Sequence, residues 1–190
     1  MWQNNDKNKL KNMKYKDAVY QSMNMLAEDP KSLFVGYGLK YGKALNTLKD
    51  IAEKSPEKII ETPLAENLMM SMSIGLSIEG YKPLVYFERF NFILIALDSI
   101  VNHLDMFRDI SDFEYRPKVI IRATVGRKLT PFLTGPTHTA DFTEAMKKLV
   151  KFPVLKPSTS SEVLEAYKFA YQYPDSVMII EDADILDIDF

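Results

Sequence analysis

The sequence predicts a three-layer α/β domain: a mostly parallel sheet with helices on both faces. Three observations carry this. Short apolar runs bounded by glycine or proline alternate with segments of helical period along the chain. The connections between them are short, which suits crossover units of strand, helix and parallel strand. The 190 residues, 46% hydrophobic and 26% charged, suffice for one core, and residues 14–181 contain no internal repeat or linker.

Met1 to Met13 is polar and rich in Asn and Lys, without the apolar centre of a signal peptide; it reads as a leader ahead of Lys14. Tyr15 to Glu28 sets Ala18, Val19, Met23, Leu26 and Ala27 at near-helical spacing, and Asp29-Pro30 stops that helix. Ser32-Leu-Phe-Val-Gly36 is a buried strand. Ala44 to Glu53 is expected to form a short helix and Lys58-Ile-Ile-Glu61 a second strand. Pro63 fixes its own φ and holds Thr62 extended, so the strand ends there. A helix from Glu66 to Ile78 follows, closed at Glu79-Gly80. Pro83 to Phe87 is a third strand. Phe92 to Phe107 reads as one long helix, apolar at Phe92, Ile95, Ala96, Ile100, Val101 and Leu104. Lys118 to Ala123 is the fourth strand, and Val125 to Thr139 is irregular. Asp141 is expected to cap a helix through Leu149, with Glu144 in the capping-box position. Pro153 to Leu155 is a short strand. Thr159 and Glu162 form a second capping box for a helix to Tyr171, and Ser176 to Glu181 is the last strand. The expected divisions are a leader (1–13), one domain (14–182) and an acidic tail or truncated linker (183–190).

Composition narrows the function. A net charge of −2 offers no basic face for nucleic acid. No apolar run approaches a membrane span. Without cysteine there is no disulfide or thiolate zinc site, which fits a reducing cytoplasm, and two histidines argue against a histidine-rich metal centre.

Two stretches could carry chemistry. Gly36-Tyr37-Gly38-Leu39-Lys40-Tyr41-Gly42 follows a strand, and Glu61 closes the next one. This is similar to a dinucleotide-binding turn, but the third glycine falls one residue late, so a loop needing positive φ is favoured over a nicotinamide site. The other stretch is Glu61-Thr62-Pro63-Leu64-Ala65-Glu66. It puts Glu66 in a first helical turn at the carboxyl end of a strand, where open α/β sheets bind ligands. Glu66 alone could simply complement the helix dipole. Glu88-Arg89 is expected to be a solvated or subunit-facing pair, and His103 structural or interfacial.

Glu61-Thr-Pro-Leu-Ala-Glu66, then Gly80-Tyr-Lys-Pro-Leu-Val-Tyr-Phe87 and Phe90-Asn-Phe92, resemble the pyrimidine-binding domain of the transketolase superfamily. The resemblance is closest to the beta subunit of thiamine diphosphate-dependent 2-oxoacid dehydrogenase E1 components. Ala96-Leu-Asp98-Ser-Ile-Val-Asn102, Pro117-Lys-Val-Ile-Ile-Arg122-Ala, His138 and Lys156-Pro-Ser-Thr159 continue it in order. It implies that Glu66 hydrogen-bonds a ring nitrogen of the cofactor's aminopyrimidine and so activates it. It also implies that Phe90 or Phe92 walls the pyrimidine, that Leu64 lies beneath it, and that His138 faces substrate and moves protons. An acidic residue common in the family after the first strand is replaced here by Gly36-Tyr37-Gly38. The sequence lacks the Gly-Asp-Gly motif that holds the diphosphate through a metal. The resemblance therefore implies a separate diphosphate-binding, alpha-type chain that holds Mg2+, with a homodimer or heterotetramer as the assembly. The reaction so implied acts on a 2-oxoacid, in the E1 beta manner, or on a ketose, in the transketolase manner; a non-catalytic interaction module of the same fold is the alternative, ahead of a nicotinamide dinucleotide-binding protein.

Overall fold

The computed structural model describes residues 13–42, 44–127 and 135–187. Six strands form one sheet: β1 (Ser32–Gly36), β2 (Ile59–Glu61), β3 (Lys82–Phe87), β4 (Ile120–Val125), β5 (Val154–Leu155) and β6 (Val177–Asp182). Their order is β2-β1-β3-β4-β6-β5, and every neighbouring pair is parallel. The expected "mostly parallel" sheet is thus parallel throughout the described residues.

Side chains alternate between two cores because successive strand residues point to opposite faces. Phe34, Leu84, Tyr86, Ile120 and Ile179 enter one core with α1 (Tyr15–Ala27), α2 (Lys49–Lys54) and α5 (Ser160–Gln172). Val35, Val85, Phe87, Ile121, Met178 and Ile180 enter the other, under α3 (Glu66–Ile78), a helical segment over residues 90–110, and α4 (Thr143–Leu149). Burial on both faces explains why the strands read as continuous apolar runs. From β1 the chain steps to β2 on one side and to β3 on the other. The crevice beyond their carboxyl ends is therefore a topological switch point.

Most elements fall where the sequence puts them: β1 and α3 match residue for residue. Four details differ. Ala44, Leu45 and Asn46 are left-handed, with φ of 57°, 58° and 59°, so the expected helix from Ala44 begins only at Lys49. The expected helix Phe92–Phe107 is a helical segment of changing pitch: 3₁₀ over Phe90–Ala96, π over Ser99–Asp105 and α over Phe107–Ile110. Asp141 does not form a capping box. Its carboxylate accepts from the Thr143 N–H at 3.0 Å and the Thr143 hydroxyl at 2.5 Å, while Glu144 pairs with Lys147. Finally, the chain beyond Asp182 packs onto the domain. Ala183 and Leu186 are buried, and the Lys16 N–H bonds to the Leu186 carbonyl at 3.0 Å. The Thr159 cap is present, its hydroxyl accepting from the Glu162 N–H at 3.2 Å.

Candidate active site

The site is built at the carboxyl edge of the sheet, from the turns that leave β2, β3 and β4. Thr62 still pairs with β1, donating its N–H to the Gly36 carbonyl at 3.0 Å. Ile59 packs in the first core and Ile60 against the second, so Glu61 turns to the first face and Thr62 to the second. Thr62 is buried, and its hydroxyl has no hydrogen-bond partner among the described residues. Pro63 and Leu64 are exposed, and α3 then starts at Glu66 without a side-chain cap on its N-terminus. Glu66 is only 7% exposed. Among the described residues, no hydrogen bond or ion pair reaches its carboxylate. A buried polar group without a partner costs on the order of 1–3 kcal/mol, and the Thr62 hydroxyl is such a group, one turn before Glu66.

The head of α3 is tied to the neighbouring helical segment by side chains. Ser99 donates to the Asn67 side-chain oxygen and lies 2.8 Å from the Ser71 hydroxyl. Ser99 is itself buried, at the start of the π turn.

The loop that carries His138 docks on the start of the same segment. The Ala140 N–H donates to the Asn91 side-chain oxygen at 3.1 Å, and the Gly126 N–H donates to the His138 carbonyl at 3.2 Å. A β-carbon on Gly126 would lie 2.2 Å from that carbonyl oxygen, so only glycine permits this approach. The His138 and Phe92 rings meet edge to face, with centroids 5.2 Å apart, and His138 Nδ1 lies 2.9 Å from the Thr137 hydroxyl. Phe92 and His138 are both half-buried. Phe90 is 0% exposed and packs edge-on against Phe142, and Phe87 is buried too. Leu64 is 60% exposed. His138 and Phe92 thus come together, and Phe90 supports the segment from inside the core. The part of the loop at 128–134 lies outside the described residues.

Sequence reasoning gave three neighbours of this site no role. Thr62 offered no signal beyond its place before proline. Asn91 was noted only inside the Phe-Asn-Phe pattern. Arg89, expected in a solvated or subunit-facing pair, is half-buried: its Nη1 donates to the Glu88 carbonyl at 2.7 Å, and its buried Nε has no partner among the described residues.

The glycine-rich loop after β1 also has a definite explanation. Gly38 and Gly42 have φ of 69° and 83°, the left-handed region that glycine tolerates. The Glu61 carboxylate accepts from the Gly38 N–H and, at 3.1 Å, from the Lys40 N–H. The amides that would cradle a pyrophosphate are held by the chain's own carboxylate.

Fold and site together define a parallel α/β domain with a topological switch point at its carboxyl edge, headed by a buried glutamate at a helix start. The chain belongs to the transketolase pyrimidine-binding domain family, whose model ("Transketolase, pyrimidine binding domain") matches residues 11–186. It is 26% identical over 175 residues to pyruvate dehydrogenase E1 component subunit beta-1, mitochondrial, of Arabidopsis thaliana, covering 90% of this chain and 47% of that protein. It is 31% identical over 121 residues to the pyruvate dehydrogenase E1 component subunit beta of Gracilaria tenuistipitata var. liui, covering 60% of this chain and 36% of that one. Among solved structures it is similar to a split-gene transketolase described as an inactive beta4 tetramer. That match has a TM-score of 0.71 and 22% identity, and covers 90% of this chain and 52% of the other. The chain thus spans about half the length, or less, of these curated relatives. Among the described residues, no helix is long and apolar enough to cross a membrane.

Proposed function

We propose that this chain supplies the pyrimidine side of a thiamine diphosphate-dependent active site that acts on a 2-oxoacid, completed by a separate diphosphate-binding chain. The observation that carries the reading is Glu66, a buried residue whose carboxylate meets no hydrogen-bond or ion-pair partner among the described residues, at a helix start on the carboxyl edge of the sheet in a domain of this family. The residues present fit an aminopyrimidine ring. Thr62 adds a buried hydroxyl in want of a partner, and Phe92 offers a half-buried aromatic wall.

Bound thiamine diphosphate would supply the carbanion chemistry at the carbon next to a carbonyl. Glu66 would hydrogen-bond a ring nitrogen of the pyrimidine and so assist proton transfer at that atom. Phe92 is assigned to the ring wall, where offset or edge contacts between rings are favourable; Phe90, enclosed in the core, fixes the position of that wall. Exposed Leu64 would lie beneath the ring and be covered on binding. His138, braced by Phe92 and Thr137, would face substrate and pass protons to and from it. The partner chain would hold Mg2+ and the diphosphate, in an assembly of alpha-type and beta-type chains located in the cytoplasm. The relatives named for pyruvate dehydrogenase support a 2-oxoacid over a ketose phosphate.

The test is to isolate the chain with its natural partner and assay the complex, loaded with thiamine diphosphate and Mg2+, on 2-oxoacids and ketose phosphates. Glu66→Gln should lower turnover by roughly 10²-fold or more, the size of a lost proton-transfer group. Turnover unchanged by Glu66→Gln would remove Glu66 from the mechanism. Tight cofactor binding by the lone chain would overturn the shared site.

A further inference from the structure

A second group of side chains meets at the opposite, amino edge of the sheet. Asp29 precedes β1, Lys82 opens β3, Lys118 leads into β4, and Tyr171 lies in the last turn of α5. The Tyr171 ring is shared by two ammonium groups, Lys82 at 4.6 Å and Lys118 at 5.7 Å from its centroid. The two lysines are unequally provided for. Asp29 pairs with Lys82, and it also accepts from the Tyr171 hydroxyl at 2.9 Å and the Lys31 N–H at 2.8 Å. Among the described residues Lys118 pairs with no carboxylate; its ammonium donates to the backbone carbonyl of Tyr171.

Lys118 is also held in place. The Ser77 hydroxyl accepts from its N–H at 2.6 Å and donates to its carbonyl at 3.2 Å, so the half-buried side chain starts from a fixed backbone. It lines a narrow slot with Leu33, Pro83, Leu84 and Ile120. Burial first, and then the neighbouring Lys82 charge, depress its proton affinity below the usual lysine range, against the pull of Asp29. Lys54, Lys82 and Lys151, each bonded to an aspartate, are shifted the other way. An amine desolvated beside a second cation is the ordinary recipe for a nucleophilic lysine.

We propose that Lys118 is a modification site, the preferred acceptor on this chain for a small activated acyl group such as that of an acyl phosphate. Its ammonium first loses a proton to solvent. The free amine then attacks the acyl carbon, a C–N bond forms, the C–O bond to phosphate breaks, and inorganic phosphate leaves. The product amide carries no charge, so the lysine pair at this edge loses its mutual repulsion.

The purified full chain, treated with limiting acetyl phosphate at pH 7.5, would be digested and the rate at each lysine read by mass spectrometry. Lys118 should acquire acetyl several-fold faster than Lys54 or Lys151, whose ammonium groups are each bonded to an aspartate. Lys82→Gln removes the second cation and frees Asp29 for Lys118, so the Lys118 rate should fall several-fold. Asp29→Asn, which removes the counter-charge, should raise it. A Lys118 rate no greater than that of Lys54 overturns the proposal. So does a rate indifferent to both substitutions in chains that still melt cooperatively.

Discussion

Arg122 and Glu181 are both fully buried and meet bidentately, at 2.9 and 2.8 Å, across adjacent strands β4 and β6. Every remaining polar group nearby is drawn in. Arg122 donates to the Thr47 hydroxyl at 2.8 Å, the Tyr167 hydroxyl donates to Glu181 at 2.6 Å, and the Tyr86 ring lies 4.7 Å from the guanidinium. Burial disfavours the Arg122 charge, yet Glu181, Tyr167 and Tyr86 together raise its proton affinity above the usual arginine value. A buried pair this complete is costly to halve. Arg122→Met, which strands the Glu181 carboxylate, should cost about 3–5 kcal/mol in urea denaturation, whereas Arg122→Met with Glu181→Met should recover most of that loss. A single variant as stable as the parent would show that the charge is not held in a dry core. Pairs of this kind are hard to read from sequence, because Arg122 stands in an apolar strand and its partner lies 59 positions away. The same network reaches the left-handed turn. Thr47 bonds back to the Ala44 carbonyl at 2.6 Å while accepting from Arg122, and Ala, Leu and Asn in a row carry no signal for three left-handed residues.

Among the elements, α3 and the helical segment after β3 show where local pattern suffices and where it does not. The limits of α3 were legible because Pro63 and Gly80 punctuate both ends, and Gly80 adopts φ of 87° beyond the last turn. The segment at 90–110 was legible as helical but not in its pitch. Apolar residues four apart at Phe92, Ala96, Ile100 and Leu104 suit α and π turns nearly alike and give no sign of the 3₁₀ start at Phe90–Ala96. Glu61 was misleading in a useful way. A carboxylate closing the strand beside a glycine loop has the look of a ribose partner, but here it neutralises the loop's own amides. The π turn is held where Ser99 meets Asn67 and Ser71, so the hydroxyl links the first turns of α3 to its neighbour. Ser99→Ala should therefore lower stability by about 1–2 kcal/mol, more than a surface serine, with the loss read from thermal or urea unfolding. Ser99→Thr, which keeps the hydroxyl, should recover part of it. A neutral Ser99→Ala would mean that the two helices are held by apolar contact alone.

At the scale of the molecule, the two cores are closed, but the outer surface on the Glu66 side is not polar. Leu68, on α3, is 44% exposed, and Leu94 and Ile95, on the adjoining helical segment, are 48% and 60% exposed. Alongside them Ser71 and Gly75 are exposed on α3, and a β-carbon built on Gly75 would meet no atom within 4 Å. Scattered apolar residues on a surface need no explanation, but several on two adjacent helices that flank a candidate site suit a face that is covered in the working assembly. Leu68→Asp with Ile95→Asp tests this without touching the core, since both side chains already face solvent. The double variant should keep the parent's melting temperature within about 2 °C, because surface substitutions away from special features change stability by roughly 0.5 kcal/mol or less. In sedimentation the parent should associate, with itself or with the diphosphate-binding chain proposed above, and the variant should remain a single chain at the same concentration. If the variant assembles as the parent does, this face is solvent-exposed in the complex and the partner contacts must be sought at the carboxyl edge alone, around Leu64 and His138.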